Sequence, residues 1–168
     1  MDNPDQKNYE LIPSSKKDII NASPLVSRGL DLAKNITGVS KYKASLLWVD
    51  DESDLLSFGK AFLGKKGYKV VTFENGFDAL EEIKSNNYDL LITDLNHFRI
   101  NGIELLEKVQ ELKPQLMTMV VSGVESEEIV AKTMALGCVA YLHKPVILDQ
   151  LTATIEKVLR IKRGNIVL

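Results

Sequence analysis

The stretch Asp89-Leu90-Leu91-Ile92-Thr93-Asp94 decides how this chain is read. Three consecutive aliphatic residues with no polar interruption suit a strand covered on both faces, as strands of parallel sheets are. The run closes on a carboxylate. In an open parallel sheet, ligands bind outside the carboxyl ends of the strands. Asp94 is therefore expected at a crevice on the rim of the core. An Asp that only opens a turn would look the same on this stretch alone, so the other strand ends must separate the two readings.

Strands and helices alternate on both sides of that stretch. Upstream, the apolar run 46–49 ends in Asp50-Asp51. Ser53 is expected to cap a helix that turns Leu55, Leu56, Phe58, Ala61, Phe62 and Leu63 inward and stops at Gly67. Residues 68–73 read as a second strand, and Asn75-Gly76 as the turn into a helix burying Ala79, Leu80 and Ile83. Downstream, 102–112 reads as a helix closed off by Pro114, and 116–121 as a strand ending at Ser122-Gly123. A helix over 126–136 carries Glu127 and Glu128 in its first turn, where they complement the macrodipole. A short strand over 139–142 runs into His143-Lys144-Pro145, and a last helix starts near Asp149 and reaches about Arg160. Five βα units in a row predict an α/β fold, a parallel sheet covered by helices on both faces with right-handed crossovers.

The composition narrows the function classes. The chain has 168 residues, of which 45% are hydrophobic, enough for one ordinary domain and a modest extension. A net charge of −2 argues against a nucleic-acid surface. The single cysteine, Cys138, cannot make an internal disulfide and reads as a small buried hydrophobe. No apolar stretch is long enough to span a bilayer, and the first residues lack the order of a secretory signal. A cytoplasmic protein without membrane or direct nucleic-acid contact is expected.

Residues 1–43 differ from the rest. The first 17 are polar and include Pro4 and Pro13, as a mobile tether would. Ser23-Pro24 looks like a helix start, and Leu25, Gly29, Leu32 and Ile36 share one helical face up to Gly38. One short amphipathic helix over 24–37 cannot hide its own apolar face. It is expected to dock on the domain that follows, on a second copy, giving a homodimer, or on a partner outside this sequence. The expected organisation is an extension over 1–43, one domain over 44–160 and a short tail over 161–168. Arg160, Lys162 and Arg163 are too few for a nucleic-acid patch and solvate that tail.

The polar strand ends form a constellation: Asp50 and Asp51 after the first strand, Asp94 after the third, Ser122 after the fourth and Lys144 after the fifth. Crowded carboxylates repel unless a cation joins them, and Mg²⁺ is the hard divalent ion such oxygens suit. An ammonium and a hydroxyl opposite would suit an anion, which together describes a phosphoryl-transfer site. No P-loop is present. The two histidines, His97 and His143, leave no credible hydrolase triad. The nucleophile would be a carboxylate.

Val49-Asp50-Asp51-Glu52, the strand-end Asp94, Ser122-Gly123 and Tyr141-Leu142-His143-Lys144-Pro145 resemble the receiver domain of bacterial two-component response regulators, over about residues 45–160. The resemblance implies a doubly wound five-stranded parallel sheet of order 2-1-3-4-5, the flavodoxin-like or CheY-like fold, here with an N-terminal helical extension. It implies that Asp94 is the phosphoacceptor, taking a phosphoryl group from a sensor histidine kinase or phosphotransfer protein. Asp51 and Asp94 would ligate Mg²⁺ through carboxylate oxygens, Asn96 through its backbone carbonyl, and Asp50 would hold a metal-bound water. Lys144 would bind a phosphoryl oxygen, or Asp94 itself beforehand. Ser122 would move to the phosphoryl group and Tyr141 would follow it inward. That reshapes the surface of the fourth helix, fifth strand and fifth helix, where a downstream protein or a second copy binds.

The loop after Asp94 departs from the family. His97 and Phe98 stand where Met-Pro is common, and Asn101-Gly102 where Asp-Gly is common. His97 is expected to be a solvated loop residue, with tuning of phosphoryl lifetime or contact with a partner as the sharper reading. The altered loop also motivates a phosphorylation-independent interaction module as the alternative function. A Mg²⁺-dependent phosphatase is a third, disfavoured because no second acid stands two residues after Asp94. His143 is expected on the surface and Trp48 in the core. No output domain is expected after the last helix, so the chain would act by binding another protein or as one piece of a longer regulator.

Overall fold

The computed structural model describes residues 40–97 and 100–164. The helix expected over 24–37 lies outside the described residues. The elements follow in the order β1 (Ser45–Val49), α1 (Ser53–Lys65), β2 (Lys69–Phe73), α2 (Gly76–Ser85), β3 (Leu90–Thr93), α3 (Gly102–Leu112), β4 (Met117–Ser122), α4 (Glu127–Ala135), β5 (Cys138–His143) and α5 (Leu148–Lys162). The five strands form one sheet in the order β2-β1-β3-β4-β5, and every neighbouring pair is parallel. This is the doubly wound order that the receiver resemblance implied.

The period-2 geometry of a strand divides the core into two layers. Leu46 and Trp48 of β1, Leu90 and Ile92 of β3, and Met119 and Val121 of β4 pack with Leu56 and Leu63 of α1 and Leu151, Ile155 and Val158 of α5. On the other face, Leu47, Val49 and Leu91 pack with Ala79, Leu80 and Ile83 of α2 and with Leu105 and Val109 of α3. A third cluster, Leu95, Leu106, Val120 and Cys138, takes Ile129 of α4. Both faces of β1 and β3 are thus sealed, which explains their unbroken aliphatic sequences.

Helix starts follow their side chains. Asn75, Asn101 and Ser126 each accept a hydrogen bond from a backbone N–H in the first turn of α2, α3 and α4. Such caps contribute about 1 kcal/mol each. At the opposite edge, an Asp89 carboxylate oxygen accepts from the Ser45 N–H at 2.8 Å, joining the start of β3 to the start of β1.

Two details of α1 differ from expectation. Ser53 is its first helical residue, and Glu52 occupies the cap position without a side-chain cap bond. Phe58 faces solvent, 72% exposed, and Ala61 is exposed too. The inward stripe is Leu56, Gly59 and Leu63. Its centre is a glycine because Trp48 occupies the space beneath: a Cβ at position 59 would lie 2.1 Å from the indole Cζ3. The bulk of Trp48 sets which helical face can approach the sheet, and apolar count alone does not reveal this. The helix α5 continues through Lys162, past the expected end near Arg160.

Gly59→Ala is expected to destabilise the fold despite alanine's better helix propensity. Overpacking against a buried indole costs about 1–3 kcal/mol, against roughly 1 kcal/mol gained from propensity. A lowered urea midpoint with an unchanged slope, and altered Trp48 emission, would be the signature.

Candidate functional site

The site is assembled by register. Val49 of β1 pairs with Thr93 of β3, so the residues that follow, Asp50 and Asp94, emerge side by side. The Asp94 N–H donates to the Val49 carbonyl at 3.0 Å, and the Asp50 N–H to the Phe73 carbonyl at 3.1 Å. On the other side of Asp94, the Lys144 N–H donates to the Ser122 carbonyl at 3.0 Å. Four strand ends thereby place Asp50, Asp51, Asp94, Ser122 and Lys144 around one crevice.

Asp50 and Asp94 are buried, whereas Asp51 is exposed. One carboxylate oxygen from each of the three lies within 4.8 Å of the others. Lys144 Nζ reaches across to Asp94 Oδ2 at 2.8 Å, to Asp50 Oδ1 at 3.1 Å and to Glu52 Oε1 at 2.5 Å. It also stands 3.0 Å from Asp50 Oδ2, but off line, so that this buried oxygen has no hydrogen-bond partner. Asp94 Oδ1 accepts the N–H groups of Leu95 at 2.5 Å and Asn96 at 3.3 Å. The two oxygens of Asp94 are therefore held differently, one by backbone and one by an ammonium.

The electrostatics separate the two buried acids. Burial pushes the Asp50 carboxyl above the ordinary aspartate value, and the Glu52 N–H and Lys144 only partly offset this. Burial acts on Asp94 in the same sense, but hydrogen bonds from Lys144, Ser122 and the Asn96 backbone outweigh it and hold Asp94 below its ordinary value. For Lys144, burial would lower the ammonium's pKa. Its bonds to Asp94, Glu52 and Asp50 prevail and raise it.

The donor set fits a hard divalent cation. It offers clustered carboxylate oxygens, one of them buried and unpartnered, with no sulfur or imidazole among them. This acidic triad is of the kind that holds Mg²⁺ in receivers.

Ser122 is fully buried, and its hydroxyl accepts the Val124 N–H at 3.4 Å. Tyr141 is half-buried, with its hydroxyl donating to the Val124 carbonyl at 2.8 Å. Both side chains are thus tied to the same residue of the β4–α4 loop. His143 is exposed and rests against the Tyr141 ring, 5.1 Å between centroids.

Three features were not legible in the sequence. Glu52 shares Lys144 with the two aspartates, and nothing in its exposed position signalled this. Gly102 lets the start of α3 close behind the acid: a Cβ there would lie 2.2 Å from the Asp94 carbonyl oxygen. His97, expected in solvent, is buried. Its Nε2 lies 3.2 Å from Thr93 Oγ1, and its ring fills the space beside Gly76, where a Cβ would stand 2.6 Å from Cε1. Its Nδ1 faces the Ile100 backbone without reaching good hydrogen-bond geometry. Burial depresses the imidazole's pKa, against the pull of Ile100, Asp94 and Asp51, and so favours the neutral ring.

A doubly wound sheet with three carboxylates and a lysine at one crevice defines a class, the signalling modules of two-component systems. Residues 46–156 match the family model of the response regulator receiver domain, and the chain belongs to that family. It is 32% identical over 114 residues to the response regulator receiver protein CpdR of Brucella abortus, covering 68% of this chain and 95% of CpdR. It is 31% identical over 114 residues to the transcriptional regulatory protein ZraR of Escherichia coli, covering 68% of this chain but 26% of ZraR. The chain thus spans about a quarter of the length of that relative. A receiver domain from Methanospirillum hungatei superposes with a TM-score of 0.70 at 29% identity, covering 72% of this chain and 97% of that one. One from Clostridium thermocellum gives 0.68 at 26% identity, covering 73% and 99%. Receivers are signalling modules rather than conventional enzymes, and they interact with histidine kinases and downstream targets. Among the described residues, no helix is long and apolar enough to cross a membrane.

Asp50 titrates higher folded than unfolded, so its ionisation removes stability as pH rises through its folded value. Asp50→Asn is therefore expected to raise the melting temperature in divalent-free buffer at neutral pH. The gain should shrink as pH falls through the raised folded value of Asp50 and be gone by the ordinary aspartate value. Added Mg²⁺ should stabilise the wild type more than the variant, which thermal denaturation with and without the ion would measure.

Proposed function

We propose that this chain is a phosphoaccepting receiver, in which Asp94 takes a phosphoryl group from a phosphohistidine on a sensor histidine kinase or phosphotransfer protein. The observation that carries the reading is the state of Asp94. It is buried and kept ionised by Lys144 and two backbone N–H groups, at the mouth of a carboxylate cluster. A carboxylate oxygen of Asp94 attacks phosphorus, the new P–O bond forms, and the P–N bond breaks with its electron pair leaving on the imidazole. Mg²⁺, held by Asp51, Asp94 and the Asn96 carbonyl with Asp50 orienting a bound water, would neutralise charge on the transferring group. Lys144 is already at 2.8 Å from Asp94 and can follow the phosphoryl oxygens as they arrive. Glu52 must then release or share the ammonium.

The same chemistry drives the switch. A phosphoryl group adds charge and strong acceptor oxygens beside Ser122. The Ser122 hydroxyl, already hydrogen-bonded to Asp94, passes to the phosphoryl oxygens and strains its 3.4 Å contact with the Val124 N–H. Tyr141, bonded to the Val124 carbonyl, feels the same loop move and shifts inward. The surface of α4, β5 and α5 changes with it and engages a downstream protein or a second copy. The module is read as the domain over 44–160, cytoplasmic, acting through protein partners rather than nucleic acid. Residues 1–43 serve as its extension, a second candidate for dimer contact, and 161–168 as its tail.

Acetyl phosphate and Mg²⁺ should add one phosphoryl group, seen in the intact mass. The adduct should be absent without Mg²⁺ and in Asp94→Asn. An unmodified wild type that also ignores beryllofluoride would overturn the reading in favour of a phosphorylation-independent interaction module.

A further inference from the structure

We propose that His97 is a positioning residue: it pins the backbone leaving Asp94 against the start of α2 and so sets where the Asn96 carbonyl stands for Mg²⁺. The inference rests on the receiver reading above and extends it to a residue that takes no part in the chemistry.

The segment from Asp94 to His97 is tied at several points. Thr93 Oγ1 donates to the Asp94 carbonyl at 2.7 Å and lies 3.2 Å from His97 Nε2. The Leu95 carbonyl accepts the Gly102 N–H at 3.0 Å. Asn96, by contrast, is exposed, and its own hydrogen bond is a 3.3 Å contact from its N–H to Asp94 Oδ1. Its carbonyl is thus fixed from the two sides, by Leu95 before it and His97 after it. The Asn96 carbonyl carbon bonds directly to the His97 nitrogen, so the orientation of that peptide depends on where His97 is held.

What holds His97 is a socket. Gly76 opens α2 and lacks the Cβ that would meet the imidazole Cε1 at 2.6 Å. The ring lies in that gap, with its Nε2 edge on Thr93. Burial of the ring, the missing Cβ and the Thr93 hydroxyl form one linked set across β3, the loop and α2. A metal site whose ligands are held in place beforehand loses less entropy on binding than one whose ligand must be ordered by the ion. Thr93 is the shared element: its hydroxyl faces both the Asp94 carbonyl and His97, so removing either partner loosens the same stretch.

The test is a calorimetric Mg²⁺ titration of the full chain as wild type, His97→Leu, His97→Gln, Thr93→Val and the double variant. Acetyl phosphate labelling across Mg²⁺ concentrations is the second readout, and thermal melting checks the fold. Losing one hydrogen bond's worth of positioning should weaken Mg²⁺ binding about fivefold in His97→Leu and in Thr93→Val. The Mg²⁺ half-saturation of labelling should rise in step, while the rate at saturating Mg²⁺ stays within about twofold. The double variant should be no weaker than the weaker single, because both remove one link. His97→Gln, whose amide reaches toward the Thr93 hydroxyl, should stay near wild type. Unchanged Mg²⁺ affinity in a folded His97→Leu, or additive losses in the double variant, would overturn the proposal. If His97→Leu fails to fold, unchanged affinity in Thr93→Val overturns it equally. A wild type that neither binds Mg²⁺ nor takes a phosphoryl group removes the receiver reading itself, which separates the two failures.

Discussion

The structure turns on a charge problem at the carboxyl edge of the sheet. Parallel pairing of β1 with β3 forces Asp50 and Asp94 out side by side, both buried. Two desolvated carboxylates in contact would not both stay ionised. Lys144, arriving from β5, supplies the missing charge to both, and Glu52 completes its surroundings. Removing the ammonium would leave two buried carboxylates without a counter-charge, at a cost of about 3–5 kcal/mol, so β1, β3 and β5 are coupled through Lys144 as well as through the intervening strand β4. The arrangement is balanced for neutrality only in part. Asp50, Glu52 and Asp94 share a single ammonium, and exposed Asp51 adds a further charge. That residual negative charge is what makes the crevice receptive to a cation and, through it, to an anion.

Three glycines let the surrounding elements come close enough to define the crevice. Gly59 lets α1 lie on the Trp48 indole directly beneath the strand that ends in Asp50. Gly76 makes room for His97 beside Asp94, and Gly102 lets α3 close on the Asp94 carbonyl. In each case the constraint is absence of a Cβ, and the backbone need not adopt unusual torsions. Each glycine serves a partner distant in sequence, and none of these contacts can be inferred from local periodicity.

Much of the fold was legible from one dimension because burial imposes periodicity. Runs such as Leu90-Leu91-Ile92 mark strands sealed on both faces. Asn75 and Asn101 mark helix starts through the bonds their side chains make. The cluster Asp50, Asp51, Asp94, Ser122 and Lys144 was legible because topology places every strand's carboxyl end on one edge. Phe58 was misread as inward because an apolar residue on a helix signals burial only if nothing already fills the space beneath. His97 was misread as solvated because a loop position carries no periodic signal, and the socket that buries it is made by Gly76, which belongs to another element.

The sequence by itself determined the alternation of elements, the class of fold, the family and the residue types at the crevice. These depend on local propensity and on burial patterns that repeat along the chain. Only the tertiary structure decided which carboxylate shares Lys144, which oxygen of Asp50 stays unpartnered, and that His97 is enclosed between Thr93 and Gly76. Those outcomes depend on distances of about 3 Å between residues far apart in the chain, where hydrogen-bond energy falls steeply with geometry. Sequence spacing carries no information at that scale.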